Sequence, residues 1–132
     1  MIDTAVGRLP KQAHLRVSAE FRRVYAGGRR YDGRLMTAFV HPNDLQHHRF
    51  GITASRKATG NAVERNRAKR LLRETFRLSN PRLDELKLKY DWVLNAKRSL
   101  LREKVTAPLE EFQRIIARAV SDESRVQVET ER

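Results

Sequence analysis

Hydrophobic residues recur at spacings of three and four in two long stretches of this chain, which is the period of an amphipathic α-helix. The later stretch begins at Thr106 and tolerates Pro108, because a proline fits the first turn of a helix. The earlier stretch begins after Asn61, which together with Glu64 has the form of an N-cap and its reciprocal partner. It is expected to end before Pro81, since the residue that precedes a proline disfavours helical backbone.

Three shorter runs have the composition of β-strands: residues 34–41, 49–55 and 90–96. The first two are predicted to pair as a hairpin, and the last is apolar enough to lie inside a sheet. A fourth strand is expected in residues 29–34 or in the turn around Asn43. The chain is predicted to be one domain over residues 15–120, with a flexible segment before it (1–14) and a disordered polar tail after it (121–132).

Composition narrows the choice of partners. The 132 residues carry a formal charge of +12 and a pI near 11.0, which makes an anionic polymer or surface the first partner to consider. The absence of cysteine excludes disulfides, thiolate zinc sites and cysteine nucleophiles. No apolar run is long enough to span a bilayer and the first residues do not resemble a secretion signal, so a cytoplasmic protein is expected.

The positive charge is concentrated in residues 56–77, which hold eight basic and two acidic side chains. On the helix that begins after Asn61, the apolar residues gather on one side and most of the basic residues on the other. A charged helix face is often simply solvated, but Arg65, Lys69 and Arg73 place like charges at spacings where they repel. This pattern favours nucleic acid as the partner. The basic side holds Asn66, Arg67, Lys69, Arg70, Arg73 and Arg77, with Arg65 at its boundary with the apolar side.

A short helix is predicted from Ser18 to about Ala26, ended by two glycines. Phe21 and Tyr25 share one of its faces, and spacing alone favours the core for both. The arginines around them favour the alternative, because aromatic rings framed by basic residues bind single-stranded nucleic acid by stacking.

No catalytic constellation stands out in the sequence, since the histidines fall in loops and no nucleophile, carboxylate pair or metal ligand set has a workable spacing. The glycine pair after the first helix also does not open a helix, as a phosphate-binding loop would. If the protein takes part in catalysis, the reacting groups are expected to come from a partner.

The central stretch resembles the signature of the bacterial ribonuclease P protein component. The resemblance rests on Lys57, Gly60, Asn61, Ala62, Val63, Arg65, Asn66, Arg67, Lys69, Arg70, Arg73 and Glu74, preceded by a strand that ends in Ser-Arg-Lys. It extends over residues 15–120. In that family the protein is the accessory subunit of a ribonucleoprotein endoribonuclease that removes the 5′ leader from precursor tRNA. The RNA subunit carries the catalysis, with magnesium ions held mainly by the RNA.

The resemblance implies an α+β fold, a two-layer sandwich with a small, mostly antiparallel sheet packed against helices. The basic helix would lie in a left-handed βαβ crossover of the ribosomal S5 domain 2-like kind. The resemblance implies that the catalytic RNA would be contacted by Arg65, Asn66, Arg67, Lys69, Arg70 and Arg73. The cleft that binds the leader would be lined by Phe21, Tyr25, Arg56 and Lys57. No catalytic or metal-binding residue, no membrane and no obligate protein partner are expected.

Two other classes of protein remain open from the residues alone. A ribosomal or RNA-chaperone type protein without an enzyme would show the same basic helix, and the RNA that copurifies would distinguish it. A protein of anionic membranes is disfavoured, because the apolar side of the central helix is needed for the core.

Overall fold

The computed structural model of the chain describes residues 9–131, with side chains as far as residue 126. The helices are α1 (Ser18–Gly27), α2 (Arg56–Thr59), α3 (Ala62–Leu78), α4 (Asn80–Leu83) and α5 (Thr106–Glu131). The strands are β1 (Arg29–Asp32), β2 (Met36–Pro42), β3 (Arg49–Thr53) and β4 (Tyr90–Ala96). Short 3₁₀ helices cover Lys11–Ala13 and Arg98–Arg102.

The strands form one sheet in the order β1-β2-β4-β3. Both β1 and β4 run antiparallel to β2, whereas β3 runs parallel to β4, so α3 belongs to a βαβ crossover between these two strands. The α+β sandwich expected from the sequence is therefore confirmed. So is the fourth strand in residues 29–34, which is β1, while Asn43 lies outside the strands.

The predicted hairpin between residues 34–41 and 49–55 is wrong, because β4 lies between β2 and β3. The reason is burial: β4 is covered on both faces, with Trp92, Val93 and Leu94 inaccessible to solvent. A strand with two apolar faces is stable only in the middle of a sheet. Strands β2 and β3, which follow each other in the sequence, are therefore separated by β4 in the sheet.

The main core lies between one face of the sheet and helices α3 and α5. The ring of Phe50 stacks on that of Phe76 at 4.4 Å, and Trp92 meets Phe112 edge to face at 5.2 Å. A smaller apolar cluster, built around Val24, joins α1 to the opposite face of the sheet. Only part of that second face is covered, which leaves strand residues beside α1 available to a ligand.

The prediction of a flexible segment over residues 1–14 is wrong for residues 9–14. Ala13 is buried, and His14 and Leu15 run parallel to β3, where the backbone N–H of Leu15 donates to the carbonyl of Phe50 at 2.8 Å. Because β3 is an edge strand, its free backbone groups offer a pairing site that these residues fill. Residues 1–8 lie outside the described part of the chain.

The disordered tail predicted for residues 121–132 is also wrong as far as the structure describes it, because α5 continues to Glu131. Its polar side chains are used in the fold: Asp122 accepts a hydrogen bond from the Tyr31 hydroxyl at 2.7 Å, and Glu123 accepts one from the Tyr90 hydroxyl at 2.6 Å. Arg132 falls outside the described residues. None of the helices within residues 9–131 has the length and apolar composition required to cross a bilayer.

Candidate nucleic-acid interface

Helix α3 begins where the sequence predicts, and its start is fixed by hydrogen bonds that the sequence encodes. The Asn61 side chain accepts from the backbone N–H of Glu64 at 2.9 Å, and the Glu64 carboxylate accepts from that of Asn61 at 3.2 Å. Gly60 precedes the cap with a φ of 106°, a conformation that favours glycine. The direction in which α3 leaves the end of the sheet is therefore locally determined.

The two faces of α3 differ as the sequence predicts. Ala68, Leu72 and Phe76 are buried against the sheet and α5. The basic face points away from this core, with Asn66, Arg67, Arg70 and Arg73 exposed and Arg65 and Lys69 half-buried. We call these six residues the α3 basic face. All six lie on the same helix, with Arg65 and Lys69 at the margin of its buried side.

The charge of the α3 basic face has little compensation from the described part of the chain. Within residues 9–126, no carboxylate forms a salt bridge with Arg65, Lys69, Arg70 or Arg73. Arg67 donates only to backbone carbonyls, those of Leu101 and Glu103, at 3.2 and 2.9 Å. These hydrogen bonds orient its guanidinium but leave its charge uncompensated, so the helix presents a surface that a polyanion would stabilise.

Helix α2 places two further basic side chains at the end of β3. The hydroxyl of Ser55 caps this short turn by accepting from the backbone N–H of Ala58 at 3.0 Å. Arg56 and Lys57 are exposed, and neither pairs with a carboxylate among the described residues. They stand three and four residues after Thr53, whose side chain lies on the partly covered second face of the sheet.

Tyr25 reaches from α1 over the second face of the sheet. Its side chain is 39% exposed, its ring meets Phe39 edge to face at 4.9 Å, and its hydroxyl donates to Asn95 Oδ1 at 2.8 Å. Thr53 donates to the same oxygen at 2.6 Å. The Asn95 amide oxygen thus accepts two hydrogen bonds, whereas no described residue accepts one from the Asn95 amide N–H groups. We call Tyr25, Phe39, Thr53 and Asn95 the α1 sheet face.

Phe21 takes a different position from Tyr25. Its ring lies against Gly51 and Leu15, and a Cβ at Gly51 would collide with it. It packs, partly buried, on the small cluster formed by Leu15, Val24 and Val93. The structure therefore gives Phe21 a packing role between α1 and β3, as its spacing favours, and its contact with a leader stays a prediction.

A partly buried ion-pair network joins α1 to the sheet. Arg49 donates to both oxygens of Asp91, at 2.8 and 2.7 Å, and to Glu20 of α1 at 2.7 Å. Glu20 also accepts from the backbone N–H of Arg16 at 2.8 Å. That backbone hydrogen bond and the nearby Arg49 guanidinium lower the pKa of Glu20, and the Asp91 carboxylate raises the pKa of Arg49. The network links α1, the helix that carries Tyr25, to β3 and β4.

Sequence reasoning missed Phe39, Thr53 and Asn95. A signal was present, because alternate residues of a strand face opposite sides of the sheet. In β4 that alternation puts Trp92 and Leu94 in the main core and Asn95 on the other face. A polar residue in an otherwise apolar strand can thus indicate a ligand-binding surface.

The arrangement suits binding more than chemistry. Among the described residues, no group of three or more histidine, aspartate or glutamate side chains converges as a metal site would require. What the described residues offer is a row of unpaired cations on α3, two more on α2, and an aromatic ring beside free amide donors. These are the groups that contact phosphates and unstacked bases.

Comparison with known proteins gives a family match over most of the chain. The sequence profile of the family described as Ribonuclease P matches residues 9–120. The ribonuclease P protein component of Clostridium botulinum is 40% identical over 90 residues, which cover 67% of this chain and 78% of that protein. The corresponding protein of Coxiella burnetii is 42% identical over 64 residues, and there the chain spans only 53% of the relative.

Solved structures agree with the sequence comparison. The ribonuclease P protein of Staphylococcus aureus superimposes with a TM-score of 0.69 at 26% sequence identity, over 81% of this chain and 94% of that one. The family match over residues 9–120 includes the α3 basic face and the α1 sheet face.

Proposed function

Because this chain belongs to the bacterial ribonuclease P protein component family, we propose that it acts as the protein subunit of ribonuclease P. In this proposal the α3 basic face binds the catalytic RNA. The 5′ leader of precursor tRNA lies along the α1 sheet face and passes Arg56 and Lys57. The RNA subunit carries the catalysis that releases the leader and leaves the mature 5′ end.

The observation that carries the proposal is the unpaired charge of α3. Like charges at spacings of three and four residues repel each other on a helix. The protein provides no carboxylates to relieve this repulsion at Arg65, Lys69, Arg70 or Arg73, as far as its described residues go. RNA phosphates would relieve it, and their binding would release counterions from the RNA.

The leader contact is supported by the geometry of the α1 sheet face. An unpaired base can stack on an exposed aromatic ring with little regard to its identity. Tyr25 presents such a ring, held in place by its hydrogen bond to Asn95, and the Asn95 amide adds a donor beside it. Phe21 would support this surface from beneath, through its packing on Gly51.

The protein would assist by electrostatics. Catalytic RNA and precursor tRNA are both polyanions, and a strongly basic chain between them reduces their repulsion. Phosphate contacts carry little sequence information, so leaders of many sequences would be accepted. Magnesium would be held mainly by the RNA and would supply the charge stabilisation that phosphodiester cleavage requires. The cytoplasm stays the predicted location.

Reconstitution tests the proposal directly. The purified chain is added to a bacterial ribonuclease P RNA at a magnesium concentration too low for the RNA alone to be active, with a precursor tRNA as substrate. We expect cleavage at the mature 5′ end only when both components are present. Absence of cleavage with the wild-type chain, under conditions where a known protein component supports it, would reject the proposal.

A further inference from the structure

The segment before α1 carries a second group of basic side chains. Lys11 and Arg16 are exposed, and His14 is half-buried. Their positions are defined, because Leu15 pairs with the backbone of Phe50 and the His14 ring lies 4.8 Å from the Phe50 ring. These cationic groups are thus held at the edge of the sheet.

Adjoining clefts connect this segment to α3. Arg73 lines one cleft together with Arg67 and Arg70. It also lines a cleft of about 670 Å³ together with Lys11 and His14. Those two residues in turn line a third cleft, of about 470 Å³, together with Arg16. A phosphate backbone bound to α3 could therefore continue around the edge of the sheet onto the segment.

The carboxylates that line these clefts are already engaged elsewhere. Glu74 accepts from the Arg77 guanidinium at 2.9 Å, and Glu20 accepts from that of Arg49 at 2.7 Å. Neither forms a salt bridge with Arg73 or with a basic residue of the segment among the described residues. The clefts consequently keep a positive surplus.

We propose that Lys11, His14, Arg16 and Arg73 form a second phosphate-binding surface, the N-terminal patch, which extends the RNA interface of α3 around the edge of the sheet. The inference rests on the proposed function, because the ligand is the same catalytic RNA that α3 would bind. Lysine and arginine contribute charge to such a surface. A histidine contributes a hydrogen-bond donor that becomes charge-assisted when the ring is protonated.

His14 should make RNA binding depend on pH. Its partial burial and the charges of Arg73 and Arg16 lower the pKa of the His14 imidazole in the free protein. A phosphate bound beside these arginines would offset their effect and raise the pKa, so binding would be accompanied by proton uptake. Affinity should then increase as the pH falls through the range just below 6.5, the ordinary pKa of histidine.

The charged and titratable groups around His14 come from every element that packs near it. They are Lys11 and Arg16 of its own segment, Glu20 of α1, Arg73, Glu74 and Arg77 of α3, Arg49 of β3 and His47 of the preceding loop.

The charge contribution is tested with the double variant Lys11→Ala, Arg16→Ala in the full chain. Both side chains are exposed, so the fold should be retained, which thermal unfolding checks. Affinity for the ribonuclease P RNA is measured against salt concentration at constant pH and magnesium. We expect the slope of log affinity against log salt to fall in magnitude by about two, one for each phosphate that is no longer neutralised. Arg114→Ala removes an exposed charge from α5 and should leave the slope unchanged.

If the double variant has the same slope of log affinity against log salt as wild type and Arg114→Ala, the proposal that the N-terminal patch binds phosphate is overturned. This outcome is distinguishable from failure of the proposed function, in which the wild-type chain would itself fail to support cleavage by the RNA. If wild type supports cleavage and α3 variants bind weakly while the double variant binds normally, only the patch is rejected.

The histidine contribution is tested with His14→Gln, which keeps a donor but cannot be protonated. Affinity is measured for wild type and variant between pH 7.5 and 5.5 at constant ionic strength. We expect wild type to gain several-fold more affinity than the variant as the pH falls. Equal gains in the two proteins would overturn the role of His14 in the patch.

Discussion

At the scale of single residues, Tyr25 links the fold to the proposed leader contact. Its hydroxyl donates to Asn95 on β4 and its ring leans on Phe39 of β2, so the side chain bridges α1 and two strands. These interactions restrict the ring without covering it. A restricted ring loses less conformational entropy on binding than a mobile one, which favours stacking by an unpaired base.

The substitution Tyr25→Ala should weaken binding of precursor tRNA to the reconstituted enzyme by roughly 5- to 150-fold, which corresponds to about 1–3 kcal/mol for one stacked base. Binding of mature tRNA, which has no leader, should be unaffected. Tyr25→Phe is the matched control: it removes only the hydrogen bond to Asn95 and should bind nearly as wild type does. Equal weakening for precursor and mature tRNA in Tyr25→Ala would instead indicate a structural role.

His48 is a residue whose chemistry serves stability. Its imidazole is 8% exposed, and Nδ1 accepts from the backbone N–H of Tyr90 at 3.1 Å. Burial, assisted by the charge of Lys89, lowers the pKa of His48 to about 4. The ring is therefore neutral in the folded protein at pH values where the unfolded chain binds a proton.

The free energy of unfolding should fall as the pH falls from 6.5 towards 4, because the unfolded chain binds more protons than the folded one in this range. From the two pKa values, His48 accounts for a decrease of about 2 kcal/mol between pH 7.5 and 5. In urea unfolding, His48→Gln should be less stable than wild type at pH 7.5, and the difference should shrink by about that amount at pH 5. His47→Gln, in the same loop, controls for removal of a histidine. If the decrease in the free energy of unfolding between pH 7.5 and 5 became smaller to the same extent in His47→Gln and His48→Gln, the decrease could not be assigned to His48.

At the scale of elements, α3 combines a locally encoded start with a docked apolar face. The capping pair of Asn61 and Glu64 fixes where the helix begins, and Leu72 and Phe76 fix which side faces the core. The rotation of the helix about its axis is thus determined by packing. Its basic side must face outward, since burying unpaired cations would be too costly.

The double variant Arg65→Ala, Arg67→Ala should weaken assembly with the catalytic RNA and flatten its salt dependence by about one counterion for each phosphate that is no longer neutralised. Arg67 also donates to the carbonyls of Leu101 and Glu103. Its removal should therefore cost about 1 kcal/mol of stability as well, which unfolding of the free protein would measure. Arg114→Ala is again the control, because it removes one arginine charge from the exposed side of α5, and its salt dependence should equal that of wild type. Salt slopes identical to wild type would argue against RNA binding at α3.

Local signals explain which elements the sequence could predict. The start of α3 follows from residues three apart, and α5 from its periodicity, because both depend on neighbours within a few residues. Strand order depends on which strands bury both faces, a property of the assembled sheet, so the predicted hairpin of β2 and β3 is wrong. Residues 9–14 have no periodic signal, since they are positioned by contacts such as that of His14 with Phe50.

At the scale of the whole molecule, the charge surplus is evident from composition but its distribution is not. The sequence locates the basic residues of α3, because a helical period assigns them to one face. It could not join them to Lys11 and His14, which are far away in sequence and share a cleft with Arg73 of α3 because residues 14 and 15 pair with the edge of β3. Nor could it bring Tyr25 to Asn95, seventy residues away.

The free protein should be stabilised by small polyanions, because it is strongly basic and the described residues provide no carboxylate partner for Arg65, Lys69, Arg70 or Arg73. A ligand that binds only the folded state stabilises it by RT ln(1 + [L]/Kd), which is about 1.4 kcal/mol at a concentration ten times the Kd. For a domain of this size, that corresponds to a rise in Tm of roughly 4–8 °C. Tripolyphosphate at low millimolar concentration is a suitable probe, with sodium chloride of the same ionic strength as the control.

The rise should be smaller in a variant that combines Arg70→Ala with Arg73→Ala, because both side chains are exposed and lack carboxylate partners among the described residues. The tripolyphosphate concentration is kept low because salts that are excluded from protein surfaces also stabilise proteins, but only at much higher concentrations. A rise in Tm at low millimolar tripolyphosphate therefore reports binding. A Tm that rises equally with tripolyphosphate and with sodium chloride would mean that screening suffices to relieve the repulsion. In that case the cations of α3 would not form a binding surface for phosphate in the free protein.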